Sequence, residues 1–512
     1  MNFAREVLQA QPPERRALVE LQRDGTRREW SFGEMRQLIE VVAATLHARG
    51  VRRGDVVMTL IGNRVEWVAT MMSCFRIGAV VLPCTEQLRA KDLRLRLDVT
   101  QPKLIVADKR NRAELQAATP PCQILWIPDD ASLFAQQGPP LSANEELKDN
   151  DPAVCHPALC PELKDDDPAL ITFTSGTAGE PKAVLHGQRY LHGQRTQAEA
   201  WLGAQPDQLV WCTAGSGWSK SARNVFMAPW LTGAAALLHD ARFDPHERLE
   251  LIEQEQVNVL CMAPTEYRVI AKRAQLRELP SLTQMVAAGE ALNPEVLHAW
   301  REATRLDVRD GYGQTETGQM TAMPIGQPAR PGSMGRALQG VKLTVTDGEL
   351  TADPRTVPTF FLGYLGEGVR RGQDGEWQVE DRREQGPWHT GDRVSQDDDG
   401  YLRFEGRADD VIVSAGYRIG PFEVESALVA HPAVAEAAAV AASDDERGSV
   451  VRAVVVLRDG HSPSPKLARE LQDHVKRETA PYKYPRIVEF ATELPKTASG
   501  KVRRALLRQA RR

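Results

Sequence analysis

Cysteine is scarce in this chain and never paired. Seven occur among 512 residues, at positions 74, 84, 122, 155, 160, 212 and 261, and none forms a CxxC motif. The tightest spacing, Cys155-x4-Cys160, has only His156 beside it. An odd, scattered set argues against a disulfide framework or a structural zinc site and fits reduced thiols in a cytoplasm. Charge of one sign is missing too. A net charge of -5, with 26% charged and 42% hydrophobic residues, describes an ordinary globular chain. It gives no bulk electrostatic pull toward nucleic acid. No apolar run is long enough to span a bilayer. The best candidate, WVATMMSCFRIGAVVLPC, is broken by Arg76 and closed by Pro83, so it reads as a buried helix leading into a strand. The N-terminus MNFAREVLQAQPPERR has no apolar core of the signal-peptide kind. No repeat of 20–50 residues stands out.

What is present is an alternation. DVVMTLIG, AVVLP, KLIVAD and QILWIP read as strands, and EMRQLIEVVAATLHARG reads as a helix with Met35, Leu38, Ile39, Val42 and Leu46 on one stripe. Gly50 follows where a helix ends. Such alternation predicts mostly parallel sheets covered by helices, an α/β fold. At about 150 residues per domain the length allows roughly three folding units. Near residue 409 the texture changes to a smaller α+β pattern of about a hundred residues, with three short strands and two or three helices. The boundary is set at Asp409, giving 1–408 and 409–512.

Within the first unit, TFTSGTAGEPKAVLH (172–186) places hydroxyls, glycines and a lysine after a strand. Glycines let backbone N–H groups approach an anion. Lys182 is followed by Ala183, so this is not the Walker spacing. Four further motifs occur in order: DGYGQTETG (310–318), WHTGD (388–392), GRADDVIVSAGYRIGPFEVE (406–425) and PKTASGK (495–501). The ordered set resembles the adenylate-forming superfamily of acyl-CoA synthetases, adenylation domains and luciferases over nearly the whole chain. WSKSARN after GSG, together with APYKYPR, is most similar to medium-chain acyl-CoA synthetases.

The resemblance implies ATP-dependent joining of a carboxylic acid to CoA through an acyl adenylate, on medium-chain or aryl acids, with a small mobile C-terminal domain. Thr174, Ser175, Gly176, Thr177, Gly179 and Lys182 would hold the β- and γ-phosphates, with Ala178 replacing a more usual hydroxyl residue. Gly289, Glu290 and Ala291 would flank adenine. Of Asp310, Gly311, Tyr312 and Gln314 on the nucleotide, Tyr312 would stack on adenine. Thr315 would reach the α-phosphate, and Glu316 would bind Mg2+, a hard cation that takes oxygen ligands. Asp392 and Arg407 would contact the ribose, and Arg418 the phosphate. Lys501 would neutralise charge during attack, and in the superfamily the matching lysine is a target of protein acetyltransferases. Gln87, Ser414, Ala415, Gly416, Tyr417, Arg447, Tyr482, Lys483 and Tyr484 would serve CoA, although Tyr484 reads nearly as well as core. Trp218 and Gly313 would form wall and floor of an acyl pocket. Asp409 would be the hinge.

One departure is expected to matter. The segment VTDGELTADPRTVPTFFLGYLGE is short for the family, and its usual Gly-rich hairpin is hard to find. Loading of a carrier protein, a silent nucleotide or acyl sensor, and a luciferase-like oxygenation remain as alternatives.

Overall fold

A computed structural model describes residues 1–129, 134, 158–174, 181–289, 294–372, 374–407, 410–414, 417–444, 448–479, 481–497 and 501–509. Two nine-stranded sheets make up most of the first four hundred residues. In one, six neighbouring strands run parallel in the spatial order Val308–Gln314, Gln284–Ala288, Val259–Met262, Leu209–Cys212, Ala235–His239 and Arg16–Leu21, and antiparallel strands close both ends. In the other, Pro168–Phe173, Val80–Pro83, Val56–Leu60, Leu104–Asp108 and Gln123–Ile127 run parallel. The four strands predicted from sequence are all there. The first sheet is antiparallel at both margins, whereas the second stays parallel to its edge strand Gln123–Ile127 and is mixed toward the other edge.

Helices fill the space between the sheets. Phe32–Ala48 begins at a capping box, Ser31 with Glu34, and buries all five residues of its predicted stripe. Gly50, at φ +83°, follows its C-cap. Val65–Ile77 is buried on every face but Glu66, as a helix packed on two sides requires. Its Arg76 is buried and donates to Glu40 at 3.1 Å. Gly78 then turns left-handed, and the chain enters Val80–Pro83. One hydrophobic cluster takes side chains from both sheets, including Leu18, Val210 and Ala236 from the first and Val57, Val81 and Val106 from the second.

A third sheet, antiparallel, is formed by Leu343–Thr346, Glu349–Ala352, Trp388–Gln396 and Leu402–Arg407. It corrects the expectation that a hairpin is missing here. Leu343–Thr346 and Glu349–Ala352 pair as a hairpin whose two-residue turn is Asp347-Gly348, both left-handed at φ +50° and +80°. That is the Asp-Gly pattern which matches strand twist in tight hairpins.

Beyond Arg407, among the described residues, strands pair only with one another. A ribbon, Ile412–Ser414 with Tyr417–Ile419, is followed by a sheet of Val434–Asp444, Gly448–Leu457 and Ile487–Phe490. Helices Pro421–Ala430, Pro465–Glu478 and Arg504–Gln509 cover it. The expectation of three short strands is corrected: the ribbon adds two, and the first two sheet strands are 11 and 10 residues long. Helix Pro465–Glu478 buries Leu471 and Val475 against this unit's own core, with Leu467 packed alongside.

Candidate active site

The segment expected to hold phosphate is flanked by strands Pro168–Phe173 and Ala183–Gly187, which pair antiparallel. Phe173 pairs with Ala183, Thr174 N–H donates to the Lys182 carbonyl at 2.9 Å, and Lys182 N–H donates to Thr174 Oγ1 at 2.9 Å. Ser175, Gly176, Thr177 and Gly179 lie outside the described residues, as do Glu290 and Ala291. Lys182 is exposed. Its Nζ lies 3.0 Å from Glu367 and 4.7 Å from the centre of the Tyr364 ring. Tyr364 donates its hydroxyl to Glu316 at 2.8 Å. Tyr364 and Glu367 thus tie the loop to the TETG turn. Sequence reading missed both, because they lie in the segment set aside as shortened. The signal was the LGY triplet, an aromatic hydroxyl beside a glycine.

TETG is itself a hairpin tip. Strands Val308–Gln314 and Gly318–Ala322 meet through Thr315, Glu316 and Thr317, with Gly318 left-handed at φ +66°. Thr315 Oγ1 lies 3.4 Å from Ser219 Oγ, which brings the GSGWSKS segment to the same turn. That segment crosses between the sheets: Ser216 bonds the Ile61 carbonyl, and a Cβ on Gly217 would collide with the backbone of Cys84 and Thr85. Glu316 is one carboxylate with one of its oxygens held. Among the described residues, no three His, Cys, Asp or Glu side chains gather to hold a metal. A lone, oriented carboxylate fits Mg2+, which is commonly held by one or two carboxylates plus substrate phosphates and water.

Of the other residues expected at the nucleotide, Tyr312, Gln314 and Arg407 meet at Asp392. Strand pairing sets Asp392 directly opposite Arg407, whose Nη1 lies 3.4 Å from Oδ1. Tyr312 donates its hydroxyl to Oδ2, and Gln314 Nε2 donates to the same oxygen at 2.9 Å. Gln314 also bonds the Thr390 carbonyl and accepts from Trp388 Nε1 at 3.0 Å. Asp392 is buried. Burial lifts its carboxyl above the usual range, against the pull of Arg407, Tyr312, Gln314 and the Lys501 charge. Lys501 is exposed, on a turn closed by Thr497 N–H to its own carbonyl at 2.8 Å. Its charge reaches Asp392 from the small unit. Asp310, half-buried, receives only the Gly311 N–H at 2.8 Å, and burial pushes its carboxyl up to about 8.

The acyl-pocket residues fare differently. A Cβ on Gly313 would strike the Gly318 carbonyl, so packing alone accounts for glycine there. Trp218 is half-buried. Neither lines the small cavity, of about 20 Å³, bounded by Lys220 and Asn224 of the same segment.

On the small unit, Tyr417 and Tyr482 stack at 4.3 Å between ring centres, both exposed, and Lys483 beside them pairs with Glu423. Ser414 is buried opposite Tyr417 on the ribbon. Tyr484 packs on the small core between Lys476 and Arg486. Gln87 is exposed on the turn after Val80–Pro83, in the other unit. Ala415, Gly416, Arg447 and Asp409 lie outside the described residues, and so does the Arg418 side chain.

Residues 4–365 match the family model described as AMP-binding enzyme, and residues 423–501 match the AMP-binding enzyme C-terminal domain. The chain belongs to the AMP-binding enzyme family. A curated relative from Bacillus subtilis (strain 168), the uncharacterized acyl–CoA ligase YtcI, is 36% identical, with 96% of this chain and 92% of the relative aligned. The human mitochondrial acyl-coenzyme A synthetase ACSM4 is 37% identical over 99% of this chain and 90% of its own length. The crystal structure of a Brucella canis acyl-CoA synthetase superposes with a TM-score of 0.71 at 31% identity, covering 100% of this chain and 94% of that one. Among the described residues, no helix is long and apolar enough to cross a membrane.

Proposed function

We propose that this protein is an AMP-forming carboxylic acid:CoA ligase acting on medium-chain or aryl acids. A carboxylate oxygen attacks the α-phosphorus of ATP, and pyrophosphate leaves. The CoA sulfur then attacks the acyl carbonyl, AMP leaves, and the thiol proton passes to solvent. The observation that carries the reading is the convergence of Tyr312, Gln314 and Arg407 on buried Asp392, with the Lys501 charge close enough to act on it. Asp392 offers a buried acceptor for ribose hydroxyls. Lys501 supplies a cation on the nucleotide side, where charge develops as the carboxylate attacks. Glu316, oriented by Tyr364, is the residue to hold Mg2+, which when bound neutralises phosphate charge. The stacked, exposed Tyr417 and Tyr482 are offered as a face for CoA. Exposure of Lys501 also makes it accessible to a protein acetyltransferase, which would remove its charge.

Adenylation needs Lys501 and thioester formation needs the CoA face, and both lie on the small unit, so a rotation between units is part of the proposal. Its hinge is proposed at Asp409. Arg407 is tied to Asp392 on one side, whereas Asp410 is held by Arg504 and Arg508 of the last helix on the other. Incubation with ATP, CoA and a panel of acids should yield pyrophosphate, AMP and acyl-CoA in equal amounts. Thioester formed only on a carrier protein would overturn the CoA assignment. Asp409→Pro fixes φ at about -65°. It should keep adenylation and lose most thioester formation, and wild-type rates in both halves would remove the hinge from this position.

A further inference from the structure

Lys272 lies in the last turn of helix Pro264–Arg273 of the large unit, and its ammonium reaches the small one. Nζ donates to the Ala435 carbonyl at 3.0 Å. Ala435 stands near the start of Val434–Asp444, an edge strand of the small unit's three-stranded sheet. Pairing with Gly448–Leu457 shifts register between Val434 and Glu436, so Ala435 is the extra residue of a bulge and has no partner in the ladder. The two carbonyls before it are taken within the small unit, that of Ala433 by the Arg458 N–H and that of Val434 by Arg458 Nε, both at 2.9 Å. The Ala435 carbonyl is answered from the large unit instead.

From this contact a short chain of bonds leads to Lys501. Glu436, next to Ala435, pairs with Lys496 at 2.6 Å. Lys496 in turn bridges to Val502, the residue after Lys501, across the turn that carries Lys501. The arrangement that joins Lys272 to Ala435 is thus the one in which the Lys501 charge acts on Asp392. The charges around the Lys272 ammonium are mixed. Arg268, one turn earlier on its helix, and Arg458 oppose it, whereas Glu295 and Glu436 favour it. A single hydrogen bond, and no ion pair, therefore carries the contact. Such bonds extend to about 3.2 Å, so moving Ala435 away by about an ångström breaks this one. Rotation about Asp409 carries Ala435 with the small unit and leaves Lys272 behind.

We propose that Lys272 is a positioning residue for adenylation: by holding the Ala435 bulge it fastens the small unit where Lys501 serves the first half-reaction, and it lets go when that unit turns for thioester formation. The inference rests on the ligase reading and rotation above, and names the residue that holds one of the two arrangements. The half-reactions are to be measured separately, as acid-dependent pyrophosphate release and as thioester formed from supplied acyl adenylate and CoA. Lys272→Met keeps the stem and removes the donors. It should lower the ratio of the first rate to the second about three- to tenfold. Lys272→Arg keeps a charged donor and should restore most of that ratio. A general weakening of the fold would slow both halves alike, so an unchanged ratio overturns the proposal, as does a Lys272→Arg variant no better than Lys272→Met. In a second variant, Lys272→Cys and Ala435→Cys are bridged by a bifunctional methanethiosulfonate reagent. The bridged enzyme should keep its first turnover of pyrophosphate release and lose about nine-tenths of thioester formation, which reduction restores. Thioester formed at the unbridged rate overturns the proposal. If no acid releases pyrophosphate, the ligase reading fails and this inference with it. Pyrophosphate release with a ratio that ignores Lys272 sinks only the inference.

Discussion

Asp392 and Asn224 are buried to similar depth, and the polar groups around them are treated in opposite ways. Asp392 is surrounded by Tyr312, Gln314 and Arg407, each bonded to it or paired with it. Arg223 and Asn224 keep donors without partners. A self-paired network holds one geometry before any ligand arrives, which suits a nucleotide common to every turnover. The first region is therefore preorganised.

The largest break in that comparison is Lys501→Ala. Lys501 acts on Asp392 from another unit, while Tyr312, Gln314 and Arg407 also hold that carboxylate, so removing Lys501 should leave the Asp392 cluster intact and still disable it chemically. Loss of one preorganised donor costs about 3–4 kcal/mol, or roughly 10²–10³-fold. Acid-dependent pyrophosphate release should fall by that factor, while supplied acyl adenylate and CoA still yield thioester. Equal loss in both halves would show that Lys501 supports structure and not attack.

A smaller effect is expected at Tyr364→Phe. The hydroxyl orients Glu316 at 2.8 Å, and hydrogen bonds to charged groups contribute about 1.5–3 kcal/mol. The Mg2+ concentration for half-maximal rate should rise about tenfold, with kcat recovered at saturating Mg2+. A fall in kcat that Mg2+ does not restore would place Tyr364 outside metal binding. Glu367 and Lys182 should be unaffected, since their ion pair does not use that hydroxyl.

Much of this was legible in the sequence, for particular reasons. The stripe from Met35 to Leu46 and the four early strands follow from periodicity, because burial on one face or on both is written directly into residue choice. The motif residues Tyr312, Gln314, Asp392 and Arg407 were legible through resemblance, but their convergence was not: it depends on Trp388–Gln396 pairing with Leu402–Arg407 and packing on Val308–Gln314. The Asp347-Gly348 hairpin was missed although Asp-Gly is a strong turn signal, because length was judged against the family and not the dipeptide against turn geometry. Tyr364 and Glu367 went unseen for the same reason. Gly313, expected as the floor of an acyl pocket, has a packing reason of its own, because a Cβ there would strike the Gly318 carbonyl. Which side chains of WSKSARN find partners was not readable either, since that depends on the packing around the segment.

The smallest effect concerns Asp310, which sharpens the comparison because it shares the nucleotide side with Asp392 yet lacks the cation. Burial lifts both carboxyls; at Asp392 the guanidinium of Arg407 opposes this, whereas at Asp310 only the Gly311 N–H does, and its carboxyl is pushed up to about 8. The unfolded chain holds an aspartate near its ordinary value of about 3.9. Between these values the folded protein binds the extra proton, so Asp310 favours folding fully below pH ~4, and that contribution is lost as pH rises toward 8. Asparagine has the shape of the protonated carboxyl and does not ionise. Asp310→Asn should therefore match the wild type in melting temperature at pH 4 or just below. At pH 8.5 it should exceed it by one to a few degrees, for a gain of about 1–2 kcal/mol after allowance for solvent reaching a half-buried group. An offset of the same size at both pH values would mean that Asp310 stays ionised when folded, and that Asp310 and Asp392 are both charged acceptors on the nucleotide side.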